Sequence, residues 1–92
     1  MYKKNHHIHF VGIGGIGMSG IAEILLDTGY QVSGSDRQLS EITDYLTKKG
    51  ALIYEGHLAE NLKNVDLLVY SSAISENNPE RQAAEQRVDA DG

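Results

Sequence analysis

The sequence predicts an α/β domain, a parallel sheet doubly wound by helices, and three observations carry that prediction. Short apolar runs alternate four times with stretches of helical periodicity, the connections between them are brief, and a glycine-rich hexapeptide stands where the first run passes into the first helix. Alternation of this kind argues for parallel strands joined by right-handed crossovers.

Taken in order, the first strand is expected from about His7 to Val11, and residues 12 to 17, Gly-Ile-Gly-Gly-Ile-Gly, follow it. A helix from about Gly17 to Thr28 comes next, with Met18, Ile21, Ile24 and Leu25 at helical spacing for its buried face and Gly29 to end it. Gln31-Val32-Ser33-Gly34 forms a second strand that delivers Ser35-Asp36 to its carboxyl end. Ser40 is placed to cap a helix containing Ile42, Tyr45 and Leu46, with Lys48-Lys49 in its last turn and Gly50 beyond. Ala51-Leu52-Ile53-Tyr54 is the third strand, leading to Gly56-His57, and Ala59-Glu60-Asn61-Leu62 has room for one helical turn. Val65 to Tyr70 reads as a fourth, buried strand, because continuous apolar runs suit a parallel sheet covered on both faces. Asn78-Pro79 supply the cap and first position of a last helix through about Gln86. The tail from Val88 to Gly92 falls where a fifth strand is expected, so it is read either as the end of a fragment or as the frayed terminus of a four-stranded unit.

Ninety-two residues make one domain, 1–92, and 40% hydrophobic with 23% charged residues is ordinary for a globular chain. No apolar stretch approaches the ~18 residues of a membrane span, and the basic pair Lys3-Lys4 is not followed by an unbroken apolar segment, so neither a membrane nor a signal peptide is expected. A cytoplasmic location follows as the default. The absence of cysteine excludes disulfides, thiolate metal sites and a cysteine nucleophile. The net charge of −5 and the lack of any basic stripe argue against nucleic acid as a partner. An anion bound here must be held by local backbone dipoles against a slightly repulsive overall field.

The hexapeptide supplies such dipoles. Gly12, Gly14 and Gly17 match the G-x-G-x-x-G spacing, in which the first glycine permits the turn, the second lets backbone approach a pyrophosphate and the third lets helix pack on strand. The helix aims free N–H groups at the ligand, and Asp36 lies at the expected distance, about 20 residues on, to accept from a ribose. This is a Rossmann-like arrangement, with four to five strands. Ligands of such sheets sit beyond the carboxyl ends of the strands, where the glycine loop, Ser35-Asp36, Gly56-His57 and Ser71-Ser72-Ala73 all fall. Each has a plainer reading: Asp36 as a turn cap, His57 as a solvated loop residue, the serines as partners of strand-end backbone. His7 and His9 share a strand face that His6 does not, and without paired acids no metal site is expected. No nucleophile elbow, tuned pair of acids or G-x-x-x-x-G-K-[ST] loop is present, so no catalytic residue is expected in the chain.

The segment from His9 to Ala22, with its Gly-Gly-Ile-Gly-Met-Ser-Gly core, then Gly34-Ser35-Asp36, Gly56-His57, Ser71-Ser72-Ala73-Ile74 and Asn78-Pro79-Glu80, resembles the N-terminal domain of the Mur ligases of bacterial peptidoglycan synthesis, in their UDP-N-acetylmuramate–L-alanine ligase branch. The likeness covers residues from about 8 to 87. It implies that these 92 residues are the UDP-sugar-binding, N-terminal part of a three-domain ligase that joins L-alanine to UDP-N-acetylmuramate with ATP and magnesium. It implies that Gly12, Gly14, Gly15, Ile16, Gly17, Met18 and Ser19 contact the diphosphate, and that Ser35, Asp36, His57, Ser72 and Ala73 surround the uridine and linking phosphates. The lysine loop for ATP and both later domains are absent from the sequence, so the fragment alone is expected to bind no cofactor and to be inactive. Two other readings stand beside this one: an NAD(P)-binding domain of a dehydrogenase, which uses the same glycines and acid, and a non-catalytic nucleotide-sensing module.

Overall fold

A computed structural model describes residues 6–91, so Lys3-Lys4 and Gly92 lie outside the described residues. The chain forms β1 (His7–Val11), α1 (Ile16–Thr28), β2 (Gln31–Asp36), α2 (Glu41–Lys48), β3 (Leu52–Glu55), a 3-10 turn (Ala59–Leu62), β4 (Leu67–Val69) and α3 (Pro79–Asp91). The four strands are parallel in the order β3-β2-β1-β4. From β1 the chain steps outward to β2 and β3, then returns to place β4 on the other side of β1. The order therefore reverses between β1 and β4, which opens a crevice at their carboxyl ends.

Strand residues two apart share a face, and the register aligns Ile8 with Val32 and His9 with Ser33. Ile8, Phe10 and Val32 thus point to one side, where Ala22 of α1 and Leu46 of α2 close the apolar core over them. The opposite side carries His7, His9, Ser33 and Ser35, and α3 covers it through Glu80. The first face is apolar, whereas the second is polar at its centre, on β1 and β2, with Leu68 of β4 and Leu52 and Tyr54 of β3 flanking the polar residues.

Local chemistry sets the helix ends. Gly29, at φ +104°, takes the left-handed conformation that closes α1, and the N–H of Tyr30 returns to Leu25 O at 3.0 Å. Ser40 and Thr43 form a reciprocal capping box at α2. Asn78 Oδ1 accepts from the N–H groups of Glu80 and Arg81, with Pro79 at the first helical position, as the sequence predicts.

Three expectations are corrected. Ile21 and Ile24 are 48% and 65% exposed, because the stripe that meets the core is Met18, Ala22, Leu25 and Leu26, of which Ala22 is fully buried. The second helix contains Ile42, Tyr45 and Leu46 as expected, with Thr43 and Leu46 buried while Ile42 and Tyr45 line a shallow groove against α1 with Ile16. The fourth strand is shorter than its apolar run and only partly buried, since it lies at the edge of the sheet. Finally, α3 continues past Gln86 to Asp91: no glycine or proline interrupts residues 80–91, and the Arg87 guanidinium anchors the helix by donating to Leu62 O and Val65 O. Among the described residues no helix is long and apolar enough to cross a membrane.

Candidate functional site

The turn after β1 is tied to the end of β2. Gly12 N and Ile13 N both donate to Ser35 O, at 2.8 and 3.0 Å, and Gly14 N donates to Asp36 Oδ2 at 2.9 Å. Gly12 adopts φ +77°, the conformation that favours glycine at the start of the turn. Ile13 is fully buried because Gly34 has no side chain; a Cβ there would fall 2.4 Å from Ile13 Cδ1. The loop is therefore fixed on the sheet from beneath by Gly34 and laterally by Asp36.

This anchoring presents the N-terminus of α1 to solvent. Gly15 is the cap residue and provides no side-chain hydrogen bond, the first turn holds no acidic residue, and the first helical bond is Ser19 N to Gly15 O at 2.8 Å. The N–H groups of Ile16, Gly17 and Met18 precede that bond, so they face outward with the positive end of the helix dipole. Gly15, Ile16 and Gly17 are exposed, and a Cβ at Gly17 would meet nothing within 4 Å. Close helix-to-strand packing therefore does not require the third glycine, since the space above the first turn would admit a side chain. Ser19 Oγ donates back to Ile16 O within the same turn.

The remaining predicted residues sit around this loop. Gly56, at φ +93°, donates its N–H to Asp36 O at 2.7 Å and so brings His57 beside the end of β2. Across the β1–β4 crevice, Ser71, Ser72 and Ala73 are exposed in a turn closed by Ile74 N to Ser71 O and Ala73 N to Ser71 Oγ. Ile74 Cδ1 lies 3.4 Å from the position a Cβ would occupy on Gly12, so the two loops meet. Ser35, by contrast, is fully buried, and its hydroxyl is engaged by Glu80 and His57.

That last contact belongs to a cluster that sequence reasoning missed. Glu80 is fully buried, with Oε1 accepting from His9 Nε2 at 2.8 Å and Ser35 Oγ at 2.7 Å, and Oε2 accepting from Asn61 Nδ2 at 2.8 Å and Leu58 N at 3.2 Å. Burial by itself would raise its carboxyl, but the hydrogen bonds from His9, Ser35 and Asn61 outweigh it and hold the group below the usual carboxylate range. Ser33 Oγ lies 2.6 Å from both His7 Nε2 and His9 Nδ1, extending the chain of polar contacts along β1. The signal in the sequence is the paired alternation His-x-His and Ser-x-Ser on adjacent strands, an inward polar face whose donors and acceptors need partners. Among the described residues no group of three or more His, Asp or Glu is arranged to hold a metal ion. A separate groove of about 390 Å³ runs between α3 and the β4 edge, lined by Leu67, Tyr70 and Arg81 among others, and shares no residue with the glycine loop.

A parallel sheet of this order, with a glycine turn leading into an uncapped helix at the point of strand reversal, defines the Rossmann-like class of α/β domain. The chain belongs to the Mur ligase family: residues 7–89 match the model described as "Mur ligase family, catalytic domain". It is 61% identical over 87 residues to the UDP-N-acetylmuramate–L-alanine ligase of Desulfatibacillum aliphaticivorans, covering 95% of this chain and 19% of that protein. The ligase of the same name from Desulforapulum autotrophicum is 62% identical over 89 residues, with 96% and 20% covered. Among solved structures, the UDP-N-acetylmuramate-alanine ligase of Thermotoga maritima superposes with a TM-score of 0.85 at 41% identity, over 89% of this chain and 19% of that one. The chain spans about a fifth of the length of these relatives.

Proposed function

We propose that this chain is the N-terminal, UDP-binding domain of a cytoplasmic UDP-N-acetylmuramate–L-alanine ligase, and that it holds the diphosphate of UDP-N-acetylmuramate over residues 12–19. The observation that carries this reading is the exposed, uncapped N-terminus of α1, with three first-turn N–H groups beside the β1–β4 crevice. Such a terminus favours a dianionic group even in a domain of net charge −5, because the field of fixed dipoles is local while dispersed surface charge is screened. Asp36, His57, Ser72 and Ala73 border the same edge and are positioned for the sugar and base. The relatives that match nearly the whole chain carry the ligase name, which supports assigning the substrate to the UDP-sugar class.

Ligation itself, with ATP, magnesium and L-alanine, belongs to the remainder of a full-length ligase. The residues present do not fit a nucleoside triphosphate–magnesium site: the sequence has no lysine-bearing phosphate loop, and no acidic cluster of metal-binding geometry occurs among the described residues. What this domain contributes is anchorage. Binding energy gathered on the UDP end holds the reacting carboxylate of the sugar in place for chemistry performed elsewhere. Calorimetric titration of the chain with UDP-N-acetylmuramate, UDP and NAD tests the reading: both uridine ligands are expected to bind more tightly than NAD, and the reverse order would assign the site to a dehydrogenase-like domain.

A further inference from the structure

The hydrogen-bond arithmetic around Glu80 determines which nitrogen of His57 carries the proton. Glu80 receives four donors, from His9, Ser35, Asn61 and Leu58, so it acts as an acceptor at both oxygens, as an ionised carboxylate must. A serine hydroxyl has one proton, and that of Ser35 is given to Glu80 Oε1 at 2.7 Å. The contact of Ser35 Oγ with His57 Nδ1, at 2.7 Å, can then be made only if Nδ1–H donates to the oxygen. Glu80 Oε2 stands 3.9 Å from the same Nδ1 and favours a proton there. His7, His9, His57 and Glu80 are the histidines and carboxylate of this cluster, His7 being joined to His9 through Ser33, and the ring of Tyr54 packs at 6.2 Å from that of His9. The His57 side chain keeps 14% exposure, and with Nδ1 turned inward its Nε2 edge is the outward one.

We propose that Glu80 is a positioning residue of the candidate site: acting through Ser35, it fixes neutral His57 as the Nδ1–H tautomer and presents the Nε2 lone pair at the carboxyl edge of the sheet. The ligand group received there is a hydrogen-bond donor, a ribose hydroxyl or the imide N–H of the base, and not a phosphate oxygen. The inference rests on the UDP reading for its ligand, though the tautomer itself does not. It divides the site chemically: backbone N–H groups of α1 take the acceptor-rich diphosphate, and His57 takes a donor of the nucleoside. Glu80 touches no ligand, yet selects what His57 recognises.

Long-range proton–nitrogen NMR correlations of the chain, recorded at a pH where the His57 ring is neutral, read the tautomer directly. Protonated Nδ1 and bare Nε2 are expected; a neutral ring protonated at Nε2 overturns the positioning role. Two variants extend the test. Ser35→Ala removes the relay while leaving three donors on Glu80, and Glu80→Gln offers an amide that can donate to Ser35 and let its hydroxyl turn to His57. In both, the Nε2–H form should gain population and UDP should bind about three- to tenfold more weakly, with the affinity for inorganic pyrophosphate unchanged. Equal losses for UDP and pyrophosphate would mean that the cluster merely supports the fold. Failure of UDP to bind the wild-type chain would instead overturn the functional reading, and with it the assignment of the donor, on a measurement separate from the tautomer.

Discussion

A Cβ built on Gly14 falls 2.9 Å from Asp36 Oδ2 and 3.3 Å from Thr43 Cγ2, whereas one built on Gly17 meets nothing. These two glycines of one motif therefore respond to substitution differently. Gly14→Val should displace the Asp36 carboxylate and the loop it anchors, lowering both thermal stability and UDP affinity. Gly17→Ala, on the exposed first turn of α1, should raise stability by about 0.5–1 kcal/mol through reduced backbone freedom. The same methyl occupies the space proposed for the diphosphate, so UDP affinity should fall. Thermal denaturation with parallel UDP titration checks both; a stabilised Gly17→Ala that binds UDP normally would remove the first turn from the site. Asp36 has a structural duty as well, since its carboxylate accepts the Gly14 N–H. Asp36→Ala should cost about 1–3 kcal/mol of stability, read from denaturant unfolding, with Asp36→Asn recovering most of it because the amide oxygen still accepts.

At the scale of elements, Glu80 joins the polar face of the sheet to α3. Its folded-state carboxyl is held below the ordinary range by its donors, despite burial. A depressed carboxylate contributes stability that is fully present above its unfolded pKa, about 4.3, and is lost as pH falls through the folded value. Acid should therefore weaken the contact of α3 with the sheet below about pH 4. Glu80→Ala, which strands several buried donors, should cost about 3–5 kcal/mol at neutral pH and flatten that part of the acid profile. Unfolding followed from pH 7 to 3 for both proteins is the check, and parallel profiles would show that another group governs the acid limb. On the opposite face, Lys49 bridges Glu23 at 3.3 Å and Asp27 at 2.6 Å, and the Tyr45 hydroxyl donates to Glu23. These are exposed contacts that link α2 to α1 and carry little energy.

For the whole molecule, what was legible in the sequence is what is encoded locally. Ser40, Gly29 and Asn78-Pro79 act on their own neighbours, and the sheet class follows from alternation and connection length. The facing of α1 was not legible to the residue, because helical spacing defines a stripe while the angle of approach to the sheet decides whether Ile21 or Ala22 lies beneath it. Nor was Glu80, whose bond to His9 joins residues 71 apart and exists only once β1, β2 and α3 are assembled. The glycine loop was visible as a motif, but its support by Gly34 and Asp36 depends on the β1–β2 register. We propose this loop, at the point of strand reversal, as the seat of a uridine diphosphate. Titration of the chain with UDP while every backbone amide is followed by NMR tests it most directly: shifts should concentrate in residues 12–19 and saturate at lower concentration than with NAD. Shifts confined to the groove between α3 and β4, or saturation by NAD first, would contradict it.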